Sequence, residues 1–322
     1  MIEKDRLHAI IERFSTAKIL VVGDMMLDRF VWGNVERISP EAPVPVVHVT
    51  RESVHLGGSA NVVANLKALG ATATPVGLLG EDEPGRALQE TLRKQGISLE
   101  GLVIDPCQTT IEKTRIIAHN QQVVRVDREL PQPLSSELET QIKARLDNLM
   151  AGTQAVIVSD YAKCVITPSL LAYLQAKHGG ALLAIDPKEK NFDYYRNADI
   201  MTPNQHEAEL LSGIEIHGEA DLRVAAARIF ERLECKRLLI TLGEQGMALF
   251  RGPDDHIRIP TRSREVYDVS GAGDTVIAVY TLARTVGASD HEAAVLANAA
   301  AGVVVAKLGT ATLSPEELML VG

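Results

Sequence analysis

Lys18-Ile19-Leu20-Val21-Val22 runs without a polar break into Gly23-Asp24, and this stretch decides how the rest of the chain reads. A short apolar run closed by a glycine has the signature of a strand buried on both faces, as in a parallel sheet. The pattern recurs at Ala155-Val156-Ile157-Val158 before Ser159-Asp160, at Leu182-Leu183-Ala184-Ile185 before Asp186, and at Leu238-Leu239-Ile240-Thr241-Leu242 before Gly243. Helical patterns fill Asn61 to Leu69, Gly85 to Gln95, Ser135 to Met150 and Ala220 to Leu233. The alternation predicts an α/β fold with an open, mostly parallel central sheet flanked by helices. Ligands of such sheets bind beyond the carboxyl ends of the strands, where Asp24, Asp28, Asp160, Asp186 and Gly243 fall.

Two segments break the alternation. Residues 29–51 carry Pro40, Pro43 and Pro45 beside Val44, Val46, Val47 and Val49, and residues 110–127 show period-two Ile and Val. Both read as antiparallel strands of a small projecting sheet, since edge strands tolerate proline. Such a sheet serves as a lid over a site, as a clasp to a second copy in a homodimer, or as a plain surface hairpin. No linker divides the 322 residues, so a single domain over 1–322 is expected.

Composition narrows the function. A net charge of −9 with no long Lys/Arg block argues against a nucleic-acid partner, so an anionic substrate must be held by local donors. Cys107, Cys164 and Cys235 lie far apart, which gives neither a disulfide framework nor a zinc site and fits a reducing cytoplasm. Residues 1–17 read as an amphipathic helix and not a signal peptide, and no apolar run approaches membrane-spanning length.

The chemistry concentrates near the C-terminus, in Asp268-Val269-Ser270-Gly271-Ala272-Gly273-Asp274-Thr275. Gly271 and Gly273 allow a tight turn and a close ligand approach, and the apolar helix that follows offers unpaired N–H groups to an anion. Asp274 would repel a phosphate but suits a base that takes a proton from an attacking hydroxyl, which points to phosphoryl transfer. An ordinary loop with an Asp cap is the competing reading. Gly57-Gly58-Ser59-Ala60-Asn61 forms a second glycine turn at a helix start, with Asn61 placed for a hydroxyl. Asp24 and Asp28 suit either the vicinal hydroxyls of a polyol or a divalent metal. Asn204 and Glu207, three apart at a helix start, suit either hydrated magnesium or a capping box. Thr241 to Gly246 reads as a nucleotide-approach loop or a hairpin turn.

Taken together, these motifs resemble the ribokinase-like, or PfkB-type, carbohydrate kinases, from Gly23-Asp24 through Gly309-Thr310. The early Gly57-Gly58 to Asn61 turn, the Asn204-x-x-Glu207 motif and the Asp268 to Asp274 signature match in order. The resemblance implies that Asp274 is the catalytic base with Gly271, Ala272 and Gly273 as anion hole. It further implies that Thr241, Gly243, Gly246, Asn298 and Gly302 border ATP, as do Asn204, Gln205, His206 and Glu207. Magnesium would be held by Asn204 and Glu207 through water, a monovalent cation such as K+ would sit near Asp268 and Ser270, and the projecting strands would be the lid.

Within the family, residues 37–47, Asn120-Gln121-Gln122, Ser159-Asp160-Tyr161-Ala162-Lys163 and Lys307-Leu308-Gly309-Thr310 look most like the D-glycero-D-manno-heptose 7-phosphate kinases of lipopolysaccharide core synthesis. Expected substrate contacts are Asp24, Asp28, Gly57, Gly58, Asn61, Gln122 and Asp160. Arg37, Lys113, Arg115, Arg125, Lys163 and Lys188 are available for the phosphate already on the sugar. Two residues depart from those kinases: Cys164 replaces their usual Gly, and Ser270 their usual Thr. Many such kinases are fused to an adenylyltransferase with a His-x-Gly-His motif, which is absent here, so only the kinase step is expected. A Rossmann oxidoreductase is disfavoured because no Gly-x-Gly-x-x-Gly follows the first strand, and a P-loop kinase because no Walker sequence occurs. A non-catalytic sugar-binding protein would have no use for Asp274 as a base.

Overall fold

The computed structural model describes residues 2–119, 121–130, 132–261 and 267–321; Asn120, named above, lies outside them. In chain order the elements are α1 (Lys4–Glu12), β1 (Lys18–Gly23), β2 (Met25–Ile38), β3 (Pro45–Gly58), α2 (Ser59–Ala68), β4 (Thr72–Gly80), α3 (Glu83–Lys94), β5 (Leu102–Asp105), β6 (Ile111–Ala118) and β7 (Gln121–Arg128). There follow α4 (Ser136–Leu149), β8 (Ala155–Ser159), α5 (Pro168–Lys177), β9 (Leu182–Asp186), β10 (Ile200–Met201), α6 (Gln205–Ser212), α7 (Glu219–Leu233), β11 (Leu238–Thr241), β12 (Met247–Gly252), β13 (Asp255–Ile259), α8 (Ala272–Thr285), α9 (Asp290–Val304) and α10 (Pro315–Met319).

The first apolar run becomes β1, third from the β5 edge of a nine-stranded sheet ordered β13-β12-β11-β10-β9-β8-β1-β4-β5. Strands β5, β4, β1, β8, β9, β10 and β11 run parallel, and β12 and β13 add an antiparallel edge. Because β1 sits between β8 and β4, the order reverses beside it, and a crevice opens at its carboxyl end. Gly23 pairs with Ser159 there, and a Cβ on Gly23 would stand 2.0 Å from the Ser159 carbonyl, so only glycine permits the approach. Apolar side chains fill both faces of the sheet, with α1, α2, α8 and α9 on one and α4 to α7 on the other. Helix α8 is buried over every residue from Asp274 to Ala283, as expected of a helix apolar on all sides.

The projecting sheet exists, ordered β3-β2-β6-β7. It begins earlier and ends later than the proline-marked segment, for β2 starts at Met25 and β3 runs to Gly58. Met25, Met26 and Leu27 are buried where this sheet roots against the core, so their pattern lacks the polar alternation that marks an exposed strand. Pro45 is the first residue of its strand, and Pro40 and Pro43 lie in the turn before it, positions that demand no ladder N–H. Arg29 on β2 pairs with Glu112 of the neighbouring lid strand β6 at 2.5 Å and fastens the lid to the body through Glu83 of α3 at 3.0 Å. Among the described residues no helix is long and apolar enough to cross a membrane.

Candidate active site

Gly271, at φ 80°, turns the chain into α8 and places Asp274 in its first turn, 3% exposed. The carboxylate accepts from Asn61 Nδ2 at 2.8 Å on Oδ2 and from the Tyr161 hydroxyl at 2.5 Å on Oδ1. Asn61 is itself braced, because Asn65 Nδ2 donates to its carbonyl at 2.9 Å while Thr275 Oγ1 donates to Asn65 at 3.1 Å. Burial pushes the Asp274 carboxyl up to about 6, and the two donors hold it from going higher. It is therefore ionised at neutral pH yet basic enough to receive a proton. The Gly273 and Asp274 amides lie in the first helical turn and have no intrahelical acceptor. The Ala272 amide, expected in the same cradle, donates instead to the Val269 carbonyl at 3.3 Å.

Two cavities meet at this helix start. One of about 640 Å³ is lined by Thr241, Gly243, Gly246, Asn298 and Gly302 together with Ala272 and Gly273. The other, about 150 Å³, is lined by Asp160, Tyr161, Asp186, Lys188, Asn204, Glu207 and Asp274, and it shares Thr241 and Gly273 with the first. Residues 241–246 do form the β11–β12 hairpin connection and also line the larger cavity. Gly246 is obligatory there, since a Cβ would stand 2.1 Å from the Ile259 carbonyl.

The acidic residues divide by employment. Asp24 does not face the rim as a hydroxyl-binding group: it is 1% exposed and accepts the amides of Tyr161, Lys163 and Val165, each at 3.0 Å. Burial and the nearby Asp160 push its carboxyl up to about 6. Asp160 borders the smaller cavity but is committed to the Ala162 amide and Asn191 at 2.6 Å and the Tyr195 hydroxyl at 2.5 Å. Asp28 pairs with Arg115 at 2.5 Å, and Gly57 lies against it, where a Cβ would be 2.6 Å from Asp28 Oδ2. Gly58 takes a positive φ of 55° beside the Asp24 carbonyl.

Asn204 and Glu207 form a capping box: the Glu207 amide reaches Asn204 Oδ1 at 2.9 Å, and the Asn204 amide reaches Glu207 Oε2 at 3.0 Å. Glu207 also pairs with Lys188 at 2.7 Å. The sequence put Asp186 at the ligand-binding rim without assigning it a role; it faces the same cavity, and its carboxyl is pushed well above the usual range by burial, then by Glu207 and Asp274. Among the described residues no group of three or more His, Cys, Asp or Glu is placed to hold a metal ion directly, so a cation beside Asp186 and Glu207 would keep water between itself and the protein. Gln205 and His206 are not part of the cavity wall. Gln205 turns to the Ile216 carbonyl at 2.9 Å, and the His206 side chain is 77% exposed, because adjacent helical positions point to different faces.

The expected phosphate-binding cations are scattered. Arg37 is exposed at the far end of β2, about 30 Å along the strand from Asp28, and Gln122 lies exposed on β7. Arg125 pairs with Asp127 at 2.8 Å on the same exposed strand. Lys163 pairs with Glu129 at 2.7 Å. Lys113 has its ammonium 5.9 Å from the Tyr161 ring centroid. Asp268 accepts the Ser270 amide at 2.9 Å and the Gly309 amide at 3.0 Å, which ties the cradle to the 309 turn, where Thr310 Oγ1 is buried without a partner. Tyr161 is the contact that sequence reasoning passed over, although its place just after the β8 strand end was a signal.

A family model described as pfkB family carbohydrate kinase matches residues 16–317. The chain belongs to the pfkB family of carbohydrate kinases. It is 46% identical over 319 residues to the "Bifunctional protein HldE" of Trichlorobacter lovleyi and 43% identical to that of Geobacter sulfurreducens, in each case over 98% of this chain. The match spans 65% of those relatives' length. Among solved structures, Escherichia coli phosphofructokinase-2 in complex with substrates and products superposes with a TM-score of 0.79 at 19% identity, covering 95% of this chain and 98% of that one. Arabidopsis thaliana ribokinase complexed with ribose and ATP gives 0.72 at 20%, with the same coverage. These likenesses establish the ribokinase-like fold.

Proposed function

We propose that this pfkB-family kinase transfers the γ-phosphoryl group of ATP to the anomeric hydroxyl of D-glycero-β-D-manno-heptose 7-phosphate, giving the 1,7-bisphosphate. The observation that carries the reading is Asp274: a buried carboxylate at a helix start, braced by Asn61, titrating near 6, at the junction of two cavities. Asp274 accepts the proton of the attacking hydroxyl, and the Gly273 and Asp274 amides receive the negative charge of the transferring group. The larger cavity, on the Thr241, Asn298 and Gly302 side, takes the nucleotide. Asn204 and Glu207, with Asp186 beside them, would hold magnesium through water. When bound, the ion offsets phosphate charge.

A monovalent cation near Asp268 and Ser270 fits the unpartnered Thr310 hydroxyl, which offers an oxygen there. The heptose choice rests on the four sequence segments 37–47, 120–122, 159–163 and 307–310, and the 46% identity to a bifunctional relative supports it. Val124 and Val126 on the outermost lid strand are 45% and 53% exposed, and Val49 on the opposite edge 55%, which supports a clasp to a second copy. Use of ATP supports a cytoplasmic reaction.

The test is ADP release with ATP and magnesium on the heptose 7-phosphate, against fructose 6-phosphate, ribose and no sugar. Heptose-dependent turnover that Asp274→Asn lowers by 10²-fold or more supports the assignment. Turnover on another sugar alone moves the substrate within the family, and turnover unchanged in Asp274→Asn removes the base.

A further inference from the structure

Asp274 is held from two sides by elements of different kinds. On Oδ2 the donor is Asn61, built into packed helices α2 and α8 through Asn65 and Thr275. On Oδ1 it is the hydroxyl of Tyr161, which comes from the loop 160–165 after β8. That loop carries Ala162 and Cys164 at φ 58° and 92°, a conformation costly for side chains other than glycine. It is kept there by buried carboxylates. Asp24 collects the amides of Tyr161, Lys163 and Val165, while Asp160 takes the Ala162 amide and is anchored by Asn191 and Tyr195. The result of this wrapping is the placement of one phenol.

The Tyr161 hydroxyl lies among Asp274, Asp186 and Asp28, and burial with these charges keeps its proton on throughout the neutral range. It is therefore a permanent donor and never a base. A carboxylate oxygen has a second lone pair, so Oδ1 can hold the Tyr161 bond and still accept from a substrate hydroxyl.

We propose that Tyr161 is a positioning residue for phosphoryl transfer, orienting Asp274 Oδ1 toward the acceptor hydroxyl and favouring its ionised form. This rests on the reading of Asp274 as the base. As the acceptor oxygen bonds to phosphorus and the bond to the ADP oxygen breaks with its electron pair, the acceptor proton passes to Asp274, while the Tyr161 proton stays in place. The other charged groups facing Asp274, namely Asp28 on β2, Lys113 on β6 and Asp186 at the end of β9, are retained in the test variant.

The test compares the pH profile of kcat/KM for the heptose 7-phosphate in the wild type and Tyr161→Phe, with Asp274→Asn alongside. Loss of one charge-assisted donor moves the acid limb up by about one unit. From a starting point of about 6, activity at pH 6 then falls about fivefold more than at pH 8. An acid limb unmoved in Tyr161→Phe, with Asp274→Asn inactive, overturns this inference alone. Activity retained in Asp274→Asn, or no turnover of any sugar, defeats the underlying assignment and this inference with it. Should Tyr161→Phe fail to fold, 3-fluorotyrosine at position 161 supplies a more acidic, stronger donor. The acid limb then moves down, and an unmoved limb overturns the proposal.

Discussion

Gly271→Ala isolates the geometry on which the base depends. Gly271 adopts φ 80°, where a side chain costs about 1–2 kcal/mol. The new Cβ would also stand 2.5 Å from Asn61 Nδ2, some 0.9 Å inside the ordinary contact of 3.4 Å, whereas its approach to Thr310 Cγ2 at 3.6 Å is harmless. Asn61 has little room to yield, because Asn65 Nδ2 holds its side-chain Oδ1 at 3.3 Å as well as its backbone carbonyl at 2.9 Å. The displacement therefore falls on the Asn61–Asp274 bond. Losing it raises the Asp274 pKa and frees the carboxylate to rotate, and a misplacement approaching 1 Å is worth about 10²-fold in rate. For 322 residues, a loss of about 2 kcal/mol lowers the melting temperature by only roughly 3 °C, so the protein remains folded at assay temperature. Gly273→Ala is the internal control. Its Cβ meets nothing within 4 Å, so the melting temperature holds while KM for ATP rises as the methyl enters the nucleotide cavity. Measured by coupled ADP release and thermal melting, a Gly271→Ala enzyme with kcat within twofold of wild type would refute the reasoning.

In the wild type, kcat/KM should fall tenfold per unit below about pH 6 as Asp274 protonates; an acid limb centred near 4 contradicts the burial argument. Asp24 and Asp274 both bind protons more tightly folded, at about 6, than unfolded, near 3.9, so their ionisation opposes folding above pH 6. The urea midpoint should accordingly rise as pH is lowered from 7.5 to 5.5, and a flat or falling midpoint tells against the shifts. Asp24→Asn leaves at least one of the three loop amides without an acceptor, a loss of about 1–3 kcal/mol offset in part by removal of a buried charge. Its clearer signature is reduced kcat, because Tyr161 is released. Cys164→Gly relieves a side chain held at φ 92° and should raise stability by about 1 kcal/mol by urea unfolding; a lower midpoint means the strain is absent.

The sheet was legible because β1, β8, β9 and β11 are buried on both faces and their apolar runs stop at the rim, so pattern and boundary coincide. The roots of the lid were not, since Met25 to Leu27 and Leu56 to Gly58 lie against the core and lose the alternation that betrays the exposed part. At the site, spacing alone could place Asp274 at a helix start and pair Asn204 with Glu207. It could not tell a carboxylate that meets substrate from one that holds a loop. Asp24 and Asp160 looked like Asp28 in sequence, and only the convergence of three backbone amides on Asp24 separates them. Cys164 was visible as a departure, and its positive φ gives the reason glycine is usual there.

The distribution of ion pairs bears on how a chain of net charge −9 admits two anionic substrates. Arg115, Lys163 and Lys188 are each within 2.7 Å of a carboxylate, respectively Asp28, Glu129 and Glu207. A phosphate drawn to any of them must exchange with an existing partner, so the net gain is the difference between two pairings and not a full ion pair. Lys113 differs, for among the described residues no salt bridge joins it to a carboxylate, and its ammonium lies beside the Tyr161 ring. It already lowers the Asp274 pKa through its charge. A substrate phosphate that engaged Lys113 would weaken that influence, and a magnesium ion beside Asp186 and Glu207 would strengthen the same field from the opposite wall. The proton affinity of Asp274 is thereby set by what occupies both cavities as well as by the fold, and the uncharged Asn61 and Tyr161 donors are the parts of that setting that neither substrate can displace by charge alone.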